Sequence, residues 1–256
     1  MSYGLLIRND NATVLISSET VNPVFVGKAV LSQSIAPIPN YTTYWEYRYT
    51  VSNCPDLPLV FATCGDGAKQ VTLGVESIGS DQWRIVIAST GSAPEVYVFR
   101  KYDAPMAAAG DDYGMEVYTS TGASCFSTRS TNKYLRLVYS GLMPNPQSFM
   151  EWRSSSWSGG WLLIPDQGSY SLVPGVGMTK PIMCFPYAGM AGLGVVKQSS
   201  SAYDQYVYLM GARYSGGTLT FMVDAYSAQR GLSSGTTDIY GNAPGFILMS
   251  DGAFYD

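Results

Sequence analysis

The chain has 256 residues and no histidine among them. That absence removes Ser-His-Asp and Cys-His nucleophile arrangements and the commonest zinc ligand. It also leaves no side chain that ordinarily titrates near neutral pH. Charge is scarce as well: charged residues make up 13 % of the chain, about half the usual share. Fifteen Lys and Arg against nineteen Asp and Glu leave a net charge of −4. The basic residues are scattered singly, as at Arg8, Lys28, Arg48 and Lys69. No positive field gathers phosphates, so nucleic-acid binding is not expected. Long apolar runs are missing too. Stretches such as Leu57–Cys64 and Trp161–Pro165 fall far short of the ~20 residues of a membrane span, so membrane insertion is not expected. Met1-Ser2-Tyr3-Gly4-Leu5 lacks the basic and apolar regions of a signal peptide, which predicts synthesis in a cytoplasm without an export signal. Cys54, Cys64, Cys125 and Cys184 show no C-x-x-C spacing. They are expected as small reduced thiols, although a Cys54–Cys64 bridge across a hairpin is geometrically open.

What is abundant points to β structure. Hydrophobic residues reach 46 %, with 20 Tyr and 27 Gly, a mixture suited to strands, tight turns and amphipathic rings. Short segments with period-two alternation or short apolar runs recur at Gly4–Arg8, Val14–Ser17, Val24–Val26, Trp45–Val51, Leu59–Thr63, Gln70–Val75, Trp83–Ala88 and Glu95–Arg100. They recur again at Glu116–Thr119, Tyr134–Tyr139, Tyr206–Gly211 and Thr218–Ala225, and all are expected as strands. Turn chemistry separates them, as at Asp66-Gly67, Thr121-Gly122, Ser158-Gly159-Gly160 and Ser215-Gly216-Gly217. Strands at such spacing without helical periodicity predict an all-β fold of sandwiches or barrels.

The chain also repeats itself. Tyr3-Gly4-Leu5-Leu6-Ile7 and the following polar turn and strand recur at Tyr113-Gly114-Met115-Glu116-Val117, a displacement of 110 residues. Further on, Asp81-Gln82-Trp83 reads against Asp204-Gln205-Tyr206, a displacement of 123 residues. The same displacement sets Pro58 on Pro181 and Val96–Phe99 on Leu219–Met222. A tandem duplication follows: two β-sandwich-like units, residues 1–105 and 106–256, the second lengthened by an insertion at 144–170. The segment Gly245–Tyr255 repeats the opening pattern. A terminal hairpin at 240–256 is therefore expected to complete the second unit.

Chemistry-bearing motifs are few. Asp66, Asp111, Asp112, Asp166 and Asp251 sit beside turn glycines or in polar loops and read as solvated turn acids. Gly189–Gly194 lacks the Lys and helix of a phosphate loop. No metal or cofactor is expected, and the chain reads as non-enzymatic. Three of the five tryptophans, Trp152, Trp157 and Trp161, lie in the insertion. A Ser-Gly-Gly turn between the last two would let a hairpin present both. They are the candidate contact residues for a partner protein or glycan, against the plainer reading that they cover a larger core.

The opening Tyr3-Gly4-Leu5-Leu6-Ile7-Arg8-Asn9-Asp10-Asn11, with its short apolar strand ending in Ser17-Ser18, resembles the start of small tail-associated proteins of long-tailed bacteriophages. The likeness covers about the first 30 residues and returns at Tyr113–Val138. Those relatives commonly carry Asp before the serine after the second strand; here Ile16 and Phe126 stand there, and only Asp256 suits the pattern. The resemblance implies a virion component of the tail tip, baseplate or fibre region. Its partners would be other tail proteins, in several copies around the tail axis, with a host surface glycan or pilus as the alternative partner.

Overall fold

The computed structural model describes residues 6–8, 14–17, 22–37, 43–64, 67–101, 116–118, 122, 124–127, 133–142, 150–154, 161–165, 170–172, 177–184, 189–197, 203–232, 238–239 and 246–256. The protein is all-β, with two tandem β-sandwich-like units. The described residues include one turn of 3-10 helix, Gly252–Phe254, and no helix long and apolar enough to cross a membrane.

The first half opens with the hairpin β1 (Leu6–Arg8) and β2 (Val14–Ser17), then β3 (Pro23–Lys28), β4 (Val30–Ile35), β5 (Trp45–Val51), β6 (Leu59–Thr63), β7 (Gln70–Gly79), β8 (Gln82–Ser89) and β9 (Val96–Lys101). The second half opens with the matching hairpin β10 (Glu116–Tyr118) and β11 (Ser124–Ser127). It continues through β12 (Tyr139–Leu142), β13 (Met150–Ser154), β14 (Trp161–Pro165), β15 (Tyr170–Leu172), β16 (Pro181–Cys184), β17 (Gly189–Lys197), β18 (Tyr203–Ser215), β19 (Thr218–Leu232), β20 (Asp238–Ile239) and β21 (Phe246–Asp251). Gly216 and Gly217, both at positive φ (55° and 81°), form the primed two-residue turn that joins β18 to β19.

Two large antiparallel sheets hold most of these strands. One runs β12-β21-β16-β6-β9-β3; the other runs β15-β19-β18-β7-β8-β5-β4, with β17 and β20 attached at β18. The halves meet in both sheets, through β6–β16 (Thr63 opposite Ile182) and β7–β18 (Gln70 opposite Ala212). Reading outwards from these seams, the pairings mirror each other: β9 with β21, β3 with β12, β8 with β19, β5 with β15. The strand order is thus mirrored about the seams, with a different alignment from the sequence displacement of 123. β19, not β18, takes the place of β8, and β21, not Leu219–Met222, takes the place of β9. Alternating apolar patterns look alike from strand to strand, and β17 is an extra strand that shifts the count.

The six-stranded sheet closes on itself. Phe25 N–H donates to Lys133 O and Leu135 N–H to Pro23 O, both at 2.8 Å, so residues 133–135 pair with β3, as the bridge Val24–Tyr134 records. A few residues later the same segment becomes β12 and pairs with β21. Expected strand Tyr134–Tyr139 is therefore split: it bridges to β3 at one end and to β21 at the other. The ring is a small barrel with strands from both halves. Inside lie Phe25, Leu59, Phe61, Tyr97, Phe99, Leu135, Ile182, Leu248 and Tyr255. Phe99 meets Tyr255 edge-on at 4.8 Å and Phe61 at 5.3 Å, the tilted geometry aromatic rings prefer. The outward residues of β6 and β9 (Val60, Ala62, Val96, Val98) pack against Tyr47, Tyr49, Val51, Ile85 and Ile87 of the long sheet. Strands buried on both faces explain the unbroken apolar runs Leu59–Ala62 and Val96–Phe99. Tyr47 and Tyr49 stay buried because their hydroxyls donate to Gly91 O (2.8 Å) and Pro94 O (2.6 Å).

The closing segment is one strand followed by a 3-10 turn, not the expected hairpin: after β21 the chain turns at Gly252 and sends Tyr255 into the barrel instead of forming a second strand. β21 lies between β12 and β16 rather than at an edge. Cys54, Cys64 and Cys184 are buried free thiols: the hairpin bridge does not form, and Cys64 Sγ donates instead to Pro181 O across the seam (3.4 Å). Burial pushes the Cys184 thiol up to about 12. Ala104–Gly110, between β9 and β10, lies outside the described residues.

Phe99→Ala, which opens a cavity in the barrel, is expected to cost about 3–5 kcal/mol by denaturant titration. The loss should appear in one cooperative transition; a second, unaffected transition would contradict a core shared by both halves.

Candidate functional site

Three surfaces carry distinctive side chains. The first is the tryptophan insertion. β13 and β14 form a two-stranded ribbon outside both large sheets, with Trp152 opposite Leu163 and Trp161 opposite Ser154, two register positions apart. The expected hairpin is therefore present and brings Trp152 and Trp161 onto one ribbon. Trp157 lies outside the described residues. Along the chain the ribbon falls between β12 and β15, as β4 falls between β3 and β5, but it does not join the long sheet as β4 does.

The second surface is one end of the barrel, where residues 251–256 fold over the aromatic interior. Asp251 is buried and accepts from the backbone N–H groups of Thr179 (2.7 Å), Lys180 (2.8 Å) and Ala253 (3.1 Å). It is not the solvated turn acid its position beside Gly252 suggests. Three amide donors replace its hydration and tie the loop before β16 to the end of β21. Gly252 stands where a Cβ would come within 3.1 Å of the Ile182 and Tyr97 side chains, which would have to give way slightly to admit it. Tyr255 then enters the barrel, and its hydroxyl accepts from Arg136 N–H at 2.8 Å.

Asp256 finishes the plug. Its carboxylate bonds Lys28 Nζ (2.7 Å), Lys180 Nζ (2.8 Å) and the Tyr97 hydroxyl (2.8 Å), and both lysines also pair with Glu95. Lys28 and Glu95 come from the first half, Lys180 and Asp256 from the second. The two ammonium groups lie 5.0 and 5.5 Å from the Tyr97 ring centre, adding cation–π attraction. Sequence reasoning missed this cluster because its four charges are scattered over the chain. Only the closure of the barrel assembles them.

The paired lysines hold the Asp256 and Glu95 carboxyls below the ordinary carboxylate range, and the same bonds raise both lysines. Acids so held stay ionised near neutral pH and make poor proton donors or acceptors there. Among the described residues, no three His, Cys, Asp or Glu side chains gather as metal ligands.

The third surface is β4, which the sequence reading did not anticipate. It pairs only with β5 among the described strands, and its first five residues are all exposed, Val30 at 68 % and Leu31 at 43 %. Adjacent strand residues point to opposite faces, so both faces are bare. The segment Val30-Leu31-Ser32-Gln33-Ser34-Ile35 carries no charge and no proline, the usual guards of a free edge; a bulge between Leu31 and Gln33 is its one irregularity. Ser32 Oγ donates to Arg48 O at 2.9 Å, which fixes that bulge against β5.

The charge cluster sets a pH profile. The carboxyls titrate lower in the folded chain, so their stabilisation is complete above the ordinary values of 4.5 and 3.8 and is lost as acid protonates them. The lysines titrate higher, so theirs is complete below 10.5 and is lost in alkali. The four side chains are 29–46 % exposed, so screening limits each pair to about 1 kcal/mol. Asp256→Asn is expected to lower the thermal midpoint near neutral pH at low salt, and the gap to shrink at about 1 M salt. A variant indistinguishable from the parent at low salt would contradict a structural role for the cluster.

Compared with known proteins, the chain matches no family model, and no curated protein or solved structure is significantly similar to it.

Proposed function

We propose that this chain is a non-enzymatic structural protein of a phage virion, set in the tail tip or baseplate. There it binds neighbouring tail proteins, in several copies around the tail axis, after synthesis in the host cytoplasm. The observation that carries the reading is the contrast between its two sheets. The ends of one are drawn together where residues 133–135 meet β3, while the other ends at β4 in a neutral strand exposed on both faces. A strand of that kind invites a further strand, and main-chain hydrogen bonds then supply the affinity. The tail-protein-like start at Tyr3–Asn11 supports the location, and carboxylates committed to lysine pairs support a role without proton-transfer chemistry. Mass spectrometry of purified virions should detect the chain at fixed stoichiometry, and cryo-microscopy should place it in the tail. Particles complete and infectious without it would overturn the proposal.

A second reading is a receptor-binding module that recognises a host glycan or pilus through Trp152, Trp157 and Trp161. The separate ribbon β13–β14 favours it, since it gathers Trp152 and Trp161 on two paired strands, and Trp suits contact with a partner. Trp157→Ala combined with Trp161→Ala should then leave particles assembled but abolish adsorption; normal adsorption removes this reading.

A further inference from the structure

We infer that the strand which covers β4 is the β4 of a second copy, so that the long sheet runs on from one molecule into another. The inference rests on the reading of β4 as an assembly edge and names its occupant.

The kind of partner follows from the backbone. An edge strand presents a row of N–H and C=O groups at strand spacing, and an extended chain satisfies them best. The choice of a second copy follows from the sequence of β4 and from the fold itself. Within one molecule the duplicated units already join edge to edge, antiparallel, at β6–β16 and, in this same sheet, at β7–β18. A β4–β4 seam would repeat that arrangement at the far end of the sheet. Antiparallel strands related by a two-fold axis normal to the sheet keep each residue on its own face. Beyond the bulge, Gln33, Ser34 and Ile35 run in regular register against Tyr47 and its neighbours on β5. An axis through Ser34 then sets Ser34 against its own copy and Gln33 against Ile35 of the second copy. Self-pairing opposes like residues, and any charged residue near the axis would face its own kind. β4 has none, and a closed two-fold dimer follows.

The test is the mass in solution of the intact chain over a wide concentration range, by light scattering or sedimentation. The chain should approach twice 27.7 kDa as concentration rises. The variants Ser34→Lys and Ser34→Glu each change one exposed side chain at the proposed axis. Each alone should stay at the monomer mass with an unaltered circular dichroism spectrum. Mixed in equal amounts, the two should recover the dimer, a rescue that misfolding cannot produce. A parent chain that stays monomeric, variants that still dimerise alone, or a mixture that stays monomeric would each overturn the inference. A monomeric chain that still enters virions would sink this pairing and leave the tail reading standing. A dimer absent from virions would do the reverse.

Discussion

The architecture depends on closing a ring of six β-strands around aromatic side chains. Neither half has the strands to close it: the first supplies β3, β9 and β6, the second β16, β21 and β12. Each half keeps a sandwich-like packing against its share of the long sheet, but Phe61, Tyr97 and Phe99 become fully buried only where the other half's strands and Tyr255 complete the wall. Each buried aromatic contributes a few kcal/mol, so the ring links the folding of the halves. Polar contacts then seal its end: Asp251 to three amides, Asp256 to two lysines and a tyrosine.

Closure decides where the molecule stays open. The six-stranded sheet brings its two ends together at residues 133–135 and β3, whereas the long sheet runs out at β15 on one side and at β4 on the other. A protein with few charges has little else to keep such an edge unpaired. Among the described strands, β4 is the end strand whose residues are bare on both faces, and this is the physical basis for reading the chain as an assembly component.

Much of the framework was legible in the sequence, for reasons that also mark the limit. Trp45–Val51 and Leu59–Thr63 have the bounds the pattern predicts, because alternation or an apolar run bounded by turn residues is a local signal. The repeated opening hairpin recurs with the same pairing, Leu6–Ser17 and Glu116–Ser127. β4 escaped notice because a strand exposed on both faces has no alternation to show. The strand correspondences of the second half were misaligned because period-two patterns do not tell one strand from another. Asp251 read as a solvated turn acid and Asp256 only as part of the tail-protein pattern, since their partners Thr179, Lys28 and Tyr97 come near only in the folded chain. The tryptophan ribbon was visible as a hairpin, but its position outside both large sheets was not.

The interlocked ring is tested most directly by native-state hydrogen exchange with graded denaturant. The amides that cross between halves, Cys64 N–H to Pro181, Phe25 N–H to Lys133 and Leu135 N–H to Pro23, are compared with those inside one half, such as Val60 and Val98 of the β6–β9 pair. One cooperative ring predicts that both sets merge into the same global opening. If the crossing amides exchange through a lower-energy opening while the internal ones stay protected, the halves are separate folding units and the account fails.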